Sequence, residues 1–247
     1  WVTGSASYAA DRFGGTSALV FNGTDTQLRM VGIHTAGSAC NVSLAAWVRV
    51  AVPATAASRV IVHNGDSGVS GFGLMLNDQG QISALFGGQG IINSSYAVGA
   101  NEWVHAALVC RPTNRWEVYV NGRLMAVGDG SLTKRPNNSA TPALFVGKGA
   151  GAASEYLNGA ISDVRFYTRP LSEGEINEIA QGASSAVLGN RYNNAPTELI
   201  AHYQMAGGGP DGALNASLAG AGTPTTGKDG DVSSAYTFDQ TSSLAVS

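Results

Sequence analysis

Side chains able to carry a reaction are sparse and scattered in this chain. Hydrolysis of a glycosidic bond by a carboxylate pair needs two acids about 5 Å apart. On a strand that means an alternating pattern such as Glu-x-Asp-x-x-Glu, and no strand-like segment has one. Glu173, Glu175 and Glu178 cluster, but on a segment that reads as helix, where acids near the N-terminus complement the helix dipole. His34, His63, His105 and His202 lack a metal-ligand spacing such as His-x-x-x-His, and no Gly-x-Ser-x-Gly elbow occurs. These residues therefore predict no enzyme, and no catalytic residue is assigned. Cys40 and Cys110 are either one disulfide or two buried thiols on neighbouring strands.

The composition agrees with a binding or building role outside the cell. Only 13% of the 247 residues are charged, while Gly alone contributes 33. That gives a small, neutral, hydroxylated surface rather than the charge-rich one usual for cytosolic enzymes. A net charge of -3 is too weak to select a partner. Nucleic acid has no electrostatic footprint, because no Lys/Arg stripe exists. No apolar run approaches the roughly 18 residues of a membrane span. Sequons at Asn22, Asn41, Asn93, Asn137 and Asn215 point to a glycosylated secreted protein in a eukaryote and carry no meaning in a bacterium. The opening Trp1-Val2-Thr3-Gly4, without Met or a basic leader, predicts a mature or internal piece of a longer product.

The elements that must position these residues are strands. Short apolar or alternating runs are separated by Gly, Asn and Asp turns, as in all-β sandwiches. Expected strands cover Ala18 to Phe21, Gln27 to Val31, Asn41 to Val50, Ser58 to His63, Gly73 to Leu76 and Gln81 to Phe86. Others cover Val104 to Cys110, Arg115 to Val120, Arg123 to Val127, Ala143 to Val146 and Ala160 to Tyr167. Asn121-Gly122 is the strongest hairpin signal, since a type I′ turn needs φ > 0 at both central residues. One helix is expected, capped by Ser172, with Ile176 and Ile179 facing inward and Gly182 ending it. Pairing Asn41–Val50 with Val104–Cys110 so that Cys40 faces Cys110 sets Trp47 opposite Trp103 and Ala45 opposite His105. Both cysteines then share one face of the sheet and both tryptophans the other.

The order of segments resembles laminin-G-like, concanavalin-A-like modules. Ala18-Leu-Val-Phe-Asn-Gly23 resembles their opening strand, and Val42-Ser-Leu-Ala-Ala-Trp-Val-Arg49 the next. Asn101-Glu-Trp-Val-His-Ala-Ala-Leu-Val109, Glu117-Val-Tyr-Val-Asn-Gly122 and Leu144-Phe-Val-Gly147 follow in family order. Leu157 to Ile176 resembles the closing strand and helix. The resemblance implies an all-β fold: a two-sheet antiparallel jelly-roll sandwich with one short C-terminal helix. Residues 1–182 are then one jelly roll lacking its first strand, and residues 183–197 a linker. Glu198-Leu-Ile-Ala-His-Tyr203 resembles that first strand, and Ser234-Ala-Tyr-Thr-Phe-Asp239 repeats Ser17-Ala-Leu-Val-Phe-Asn22. Residues 198–247 are thus either the opening strands of a second module in a tandem array or a strand-donating segment.

Two sites follow from the resemblance. Related jelly rolls hold a structural Ca²⁺ between an acid of the last strand and the early turn, here Asp163 with Asn22, Gly23 and Asp25. The alternative is that Asp163 pairs with Arg165 or Arg12, and that Asp25 merely forms the turn. Carbohydrate is the family's usual ligand and needs an exposed aromatic platform. Trp47, Trp103 and Trp116 fall at the family's core positions and read as packing, which leaves Tyr96, Tyr156 and Tyr192, expected in loops, as ligand-binding candidates. The sequence predicts a non-catalytic module of an extracellular or cell-surface adhesin or filament, contacting neighbouring copies and glycans. A free lectin domain is the alternative, and a glycan-processing enzyme the less favoured one.

Overall fold

A computed structural model describes residues 2–31, 41–65, 71–87, 90–112, 115–128, 143–149 and 155–182. It also describes the backbone of five short strands between residues 199 and 246.

Alternation of apolar residues builds two antiparallel sheets. The first has seven strands, in the order β1 (Val2–Thr3), β4 (Gln27–Val31), β13 (Ala143–Val146), β6 (Arg59–Asn64), β7 (Phe72–Leu76), β8 (Gln81–Phe86) and β9 (Gly90–Ala97). The second runs β12 (Arg123–Gly128), β11 (Arg115–Val120), β10 (Trp103–Arg111), β5 (Val42–Val50), β14 (Asn158–Tyr167), β3 (Ala18–Asn22) and β2 (Ser7–Ala9). Its eighth strand, β15 (Leu199–Tyr203), also pairs with β14. Strands β16 (Ala216–Ala219) and β19 (Ser243–Val246) form one separate pair, β17 (Thr223–Thr225) and β18 (Ala235–Thr237) another.

The two large sheets face each other across one core. Leu44, Ala46 and Val48 of β5 and Val104, Ala106 and Leu108 of β10 meet Leu74, Leu76, Ile82, Ala84, Leu144 and Val146 of the other sheet. Trp116 joins the layers, its ring centroid 4.1 Å from Phe86 and 5.9 Å from Phe72. The packing role expected for it is the one it has. Helix α1 (Glu173–Ala180) lies on the outer face of the eight-stranded sheet, where Ile176 and Ile179 cover Ala45, Ala107, Val109, Tyr119 and Tyr167. Ser172 and Glu175 close a capping box at its N-terminus, satisfying two otherwise orphaned amides. The turn expected at Asn121-Gly122 is present with φ of 49° and 82°, joining Val120 to its pair Arg123.

Two expectations need correction. Trp103 pairs with Arg49, and His105 with Trp47, so β10 is slid by two residues from the expected register and Cys110 faces Val42. A slide of two preserves which face every side chain occupies, and hydrophobic patterning therefore could not detect it. Tyr96 is not in a loop: it lies on β9 and packs against the core. Asn93-Ser94-Ser95 masks that strand with polar residues at an edge of the sheet.

Candidate functional site

Along β5 and β10 the odd-numbered residues point away from the sandwich core. Beyond the area covered by α1 this outer face presents Trp47, Arg49, Trp103 and His105, with Arg12 and Phe13 supplied by the loop between β2 and β3. That loop is fixed by Asp11, whose Oδ1 accepts from the amides of Phe13 at 2.7 Å and Gly15 at 3.0 Å. Its Oδ2 accepts from Ser17 Oγ. Partial burial pushes the Asp11 carboxyl upward, but these hydrogen bonds outweigh it and hold the group below the usual range.

The loop places the Phe13 ring edge-on to Trp47, with centroids 5.8 Å apart and planes at 84°. The Arg12 guanidinium carbon lies 5.5 Å from the Trp47 ring and 5.8 Å from Phe13. Phe13 also packs over Gly182 at the end of α1, where a Cβ would come within 2.9 Å of the ring. Even so, Phe13 is 55% exposed whereas Trp47 beneath it is 4% exposed. At the far end Arg49 stacks on Trp103 at 5.0 Å. The result is an aromatic surface flanked by two guanidinium groups and backed by a rigid sheet.

Beneath it the chemistry is closed. His105 tilts against Trp47, 5.4 Å between centroids, and its ring nitrogens have no hydrogen-bond partner among the described residues. Burial pushes its pKa down to about 4, partly opposed by Asp163 and reinforced by Arg165. It is therefore neutral near pH 7. Asp163 sits at a bulge in β14 with φ of 51°, and Arg165 holds its two oxygens at 2.8 and 3.0 Å. Glu117 accepts from Arg111 at 2.9 Å, Arg115 at 2.7 Å and the Tyr119 hydroxyl at 2.8 Å. Burial raises the Glu117 pKa less than these donors lower it, so the carboxylate stays ionised. Tyr119 is pushed up to about 12 by burial and by Glu117. Glu175 is likewise lowered, its burial outweighed by Arg169 and Ser172. Glu117 and Glu175 are thus anchored anions. A general acid for glycoside hydrolysis requires the opposite, a raised pKa.

The expected calcium ligands are not brought together. Asn22, Gly23 and Asp25 share one turn, in which Asn22 Nδ2 donates to Asp25 Oδ1 at 2.6 Å. Asn22 Oδ1 accepts from the amides of Thr24, Asp25 and Thr26. On β14, however, it is Asn158 that pairs with Asn22. Asp163 lies five residues further along, about 17 Å at strand spacing, and is taken by Arg165. Among the described residues, no three His, Cys, Asp or Glu gather as metal ligands.

The tyrosines do not form a platform. Tyr96 donates its hydroxyl to Glu102 at 2.6 Å, and that bond is the main cause of its raised pKa. Tyr156, in the connection between β13 and β14, is half-buried under Lys148 at 5.0 Å. Tyr192 lies outside the described residues, as do Cys40, Asn137 and Asn215. Cys110 is fully buried and disulfide-bonded. Asn22, Asn41 and Asn93 are exposed. The Asn41 amide donates to the Thr168 carbonyl, and Asn93 accepts from Ser83 at 2.8 Å. The residues missed were Arg12, Phe13, Arg49 and Trp103. The signal for Arg49 and Trp103 is the parity they share with Trp47 and His105 on two adjacent strands; Arg12 and Phe13, in the loop between β2 and β3, carry no such signal.

Two facing antiparallel sheets with a short helix on one outer face define a lectin-like jelly-roll sandwich. Residues 22–177, more than half of the chain, match the concanavalin A-like lectin/glucanases superfamily, and the chain belongs to that family. No curated protein matches it in sequence. Among solved structures it is similar to a protein from Bacteroides ovatus described as carbohydrate-binding. The TM-score is 0.56 at 19% identity, covering 83% of this chain and 52% of that one; the chain thus spans about half of that protein's length. It is also similar to domain 4 of an extracellular GH43 arabinanase from Geobacillus stearothermophilus, solved with arabinotriose. There the TM-score is 0.54 at 18% identity, covering 72% and 82%. A heptameric SAP-like pentraxin from Limulus polyphemus aligns with a TM-score of 0.51 at 16% identity, covering 66% and 81%.

Proposed function

We propose that the chain is a non-catalytic carbohydrate-contacting module of an extracellular, cell-surface protein, and that its ligand lies on the Phe13–Trp103 face. The observation carrying this is Phe13, an aromatic ring held exposed by Asp11 and braced on Trp47, with Arg12 beside it and Arg49 stacked on Trp103 at the far end of the same face. Sugars bind by laying C–H faces on such rings while guanidinium N–H groups take their hydroxyls. The lectin-like fold and the arabinotriose bound by the arabinanase domain support the ligand class. The Arg-anchored carboxylates support the absence of hydrolysis, and the low charge, the sequons and the disulfide at Cys110 support the extracellular placement.

The test is a glycan array with the whole chain, followed by calorimetric titration of the best glycan. Phe13→Ala and Arg49→Ala are expected to weaken binding at least tenfold with the far-ultraviolet circular dichroism unchanged. A silent array, or unaltered affinity in both variants, overturns the proposal. A second reading, a building block contacting neighbouring copies, is favoured by the pairing of β15 with β14. Concentration-dependent association without any glycan signal is the result that would replace the first reading by this one.

A further inference from the structure

The last strands repeat the pairing of the first ones. Val2 pairs with Leu28 and Thr3 with Gln27; Leu218 pairs with Leu244 and Ala219 with Ser243. All four positions advance by 216 residues. Ser7, Tyr8 and Ala9 pair with Val20, Leu19 and Ala18; Thr223, Pro224 and Thr225 pair with Thr237, Tyr236 and Ala235. Here the first strand again advances by 216 residues and its partner by 217. In residues 2–31 these two pairings belong to different sheets, β1 with β4 in one and β2 with β3 in the other. Residues 216–246 thus repeat the step by which the chain enters both sheets of the sandwich, in the same registers.

Strand β15 precedes this repeated unit, yet it is hydrogen-bonded to the first. On one edge of β14, residues Asn158 to Ile161 pair with β3 and residues Val164 to Tyr167 pair with β15. Both partners run antiparallel to β14, so β15 continues the line of β3 beyond the bulge at Asp163. Without β15, that half of the edge would present unpaired backbone groups.

We infer that residues 216–246 open a second module, and that β15, the strand leading into it, closes the sheet of the first. Successive modules are then joined by a shared strand rather than a free linker. The occupant of the β14 edge is the segment 199–203 of the copy of the unit that follows. This stands independently of the glycan reading.

The experiment is hydrogen exchange with mass-spectrometric readout on the full chain and on the separate variants Ala201→Pro and His202→Pro. Successive amides of a strand point to opposite sides, so at least one of the two prolines removes a ladder bond. Those amides of residues 164–167 that face β15 rather than β5 are expected to lose protection at least tenfold in that variant, and an excess of the synthetic peptide Thr197–Met205 is expected to restore it. Residues 216–219 and 243–246 are expected to keep their protection throughout. Unchanged exchange at 164–167 in both variants, failure of the peptide to restore it, or loss of protection in both units together overturns the inference.

Discussion

Acidification tests the core of the Phe13 face through His105. The imidazole is fully buried and its pKa lies at about 4, against an ordinary histidine value of 6.5. Between those values the unfolded chain carries a proton on this residue and the folded chain does not. Unfolding therefore takes up a proton, and stability falls as pH is lowered through that window. At about 1.4 kcal/mol per pH unit, the full effect is about 3 kcal/mol below pH 4. At pH 5 it is about 2 kcal/mol relative to pH 8, a fall in Tm of roughly 4–8 °C for a chain of this size. The lowered carboxylates Asp11, Glu117 and Glu175 lose their contribution only below their ordinary values near 4, so the upper part of the window belongs to histidine. Urea unfolding at pH 8, 7, 6 and 5 is compared between the wild type and His105→Phe, which keeps an aromatic ring against Trp47. His34, His63 and His202 remain in both proteins, and the difference in slope isolates His105. Parallel stability–pH curves would refute the burial argument.

Glu117→Gln leaves Arg111 and Arg115 without a carboxylate, and is expected to cost about 1–3 kcal/mol at pH 7. Because the wild-type group is stabilising above its unfolded value near 4.5 and loses that effect as pH falls, the cost shrinks toward pH 3; chemical denaturation at the two pH values checks it. At Gly147, φ is 77° and a Cβ would overlap the fully buried Phe21 ring, so Gly147→Ala combines backbone strain with overpacking and should cost about 2–4 kcal/mol. Gly14→Ala, at φ of 88° with open space around it, carries the strain alone and should cost about 1–2 kcal/mol; equal losses of Tm would show that Phe21 yields.

Much of the architecture was legible locally. Asn121-Gly122 specified its turn because few other residues take positive φ twice in succession, and Ser172 with Glu175 specified the helix start because the capping box is made within four residues. The period of two assigned inner and outer faces on β5 and β10. β9 was not legible: its inward positions carry the buried Ser94 and the half-buried Tyr96, and polar residues at a sheet edge look like a loop. The site was less legible still. Tyr96 and Tyr156 stood out by type, but one is spent on Glu102 and the other lies under Lys148. Phe13, followed by Gly14 and Gly15, has no local pattern that marks it as an exposed platform.

By itself the sequence determined what neighbouring residues decide among themselves: strand length, face, turn type, helix cap, and an acid distribution without the spacing for glycoside hydrolysis. Only the tertiary structure decided which residues meet across strands. A two-residue slide costs nothing in hydrophobic pattern, yet it set His105 on Trp47 and Arg49 on Trp103. The bulge at Asp163 gave that carboxylate to Arg165, two residues away, and not to the Asn22 turn. Pairing between distant segments likewise brought β15 to the edge of β14, since an open strand edge is satisfied by whichever backbone reaches it in register.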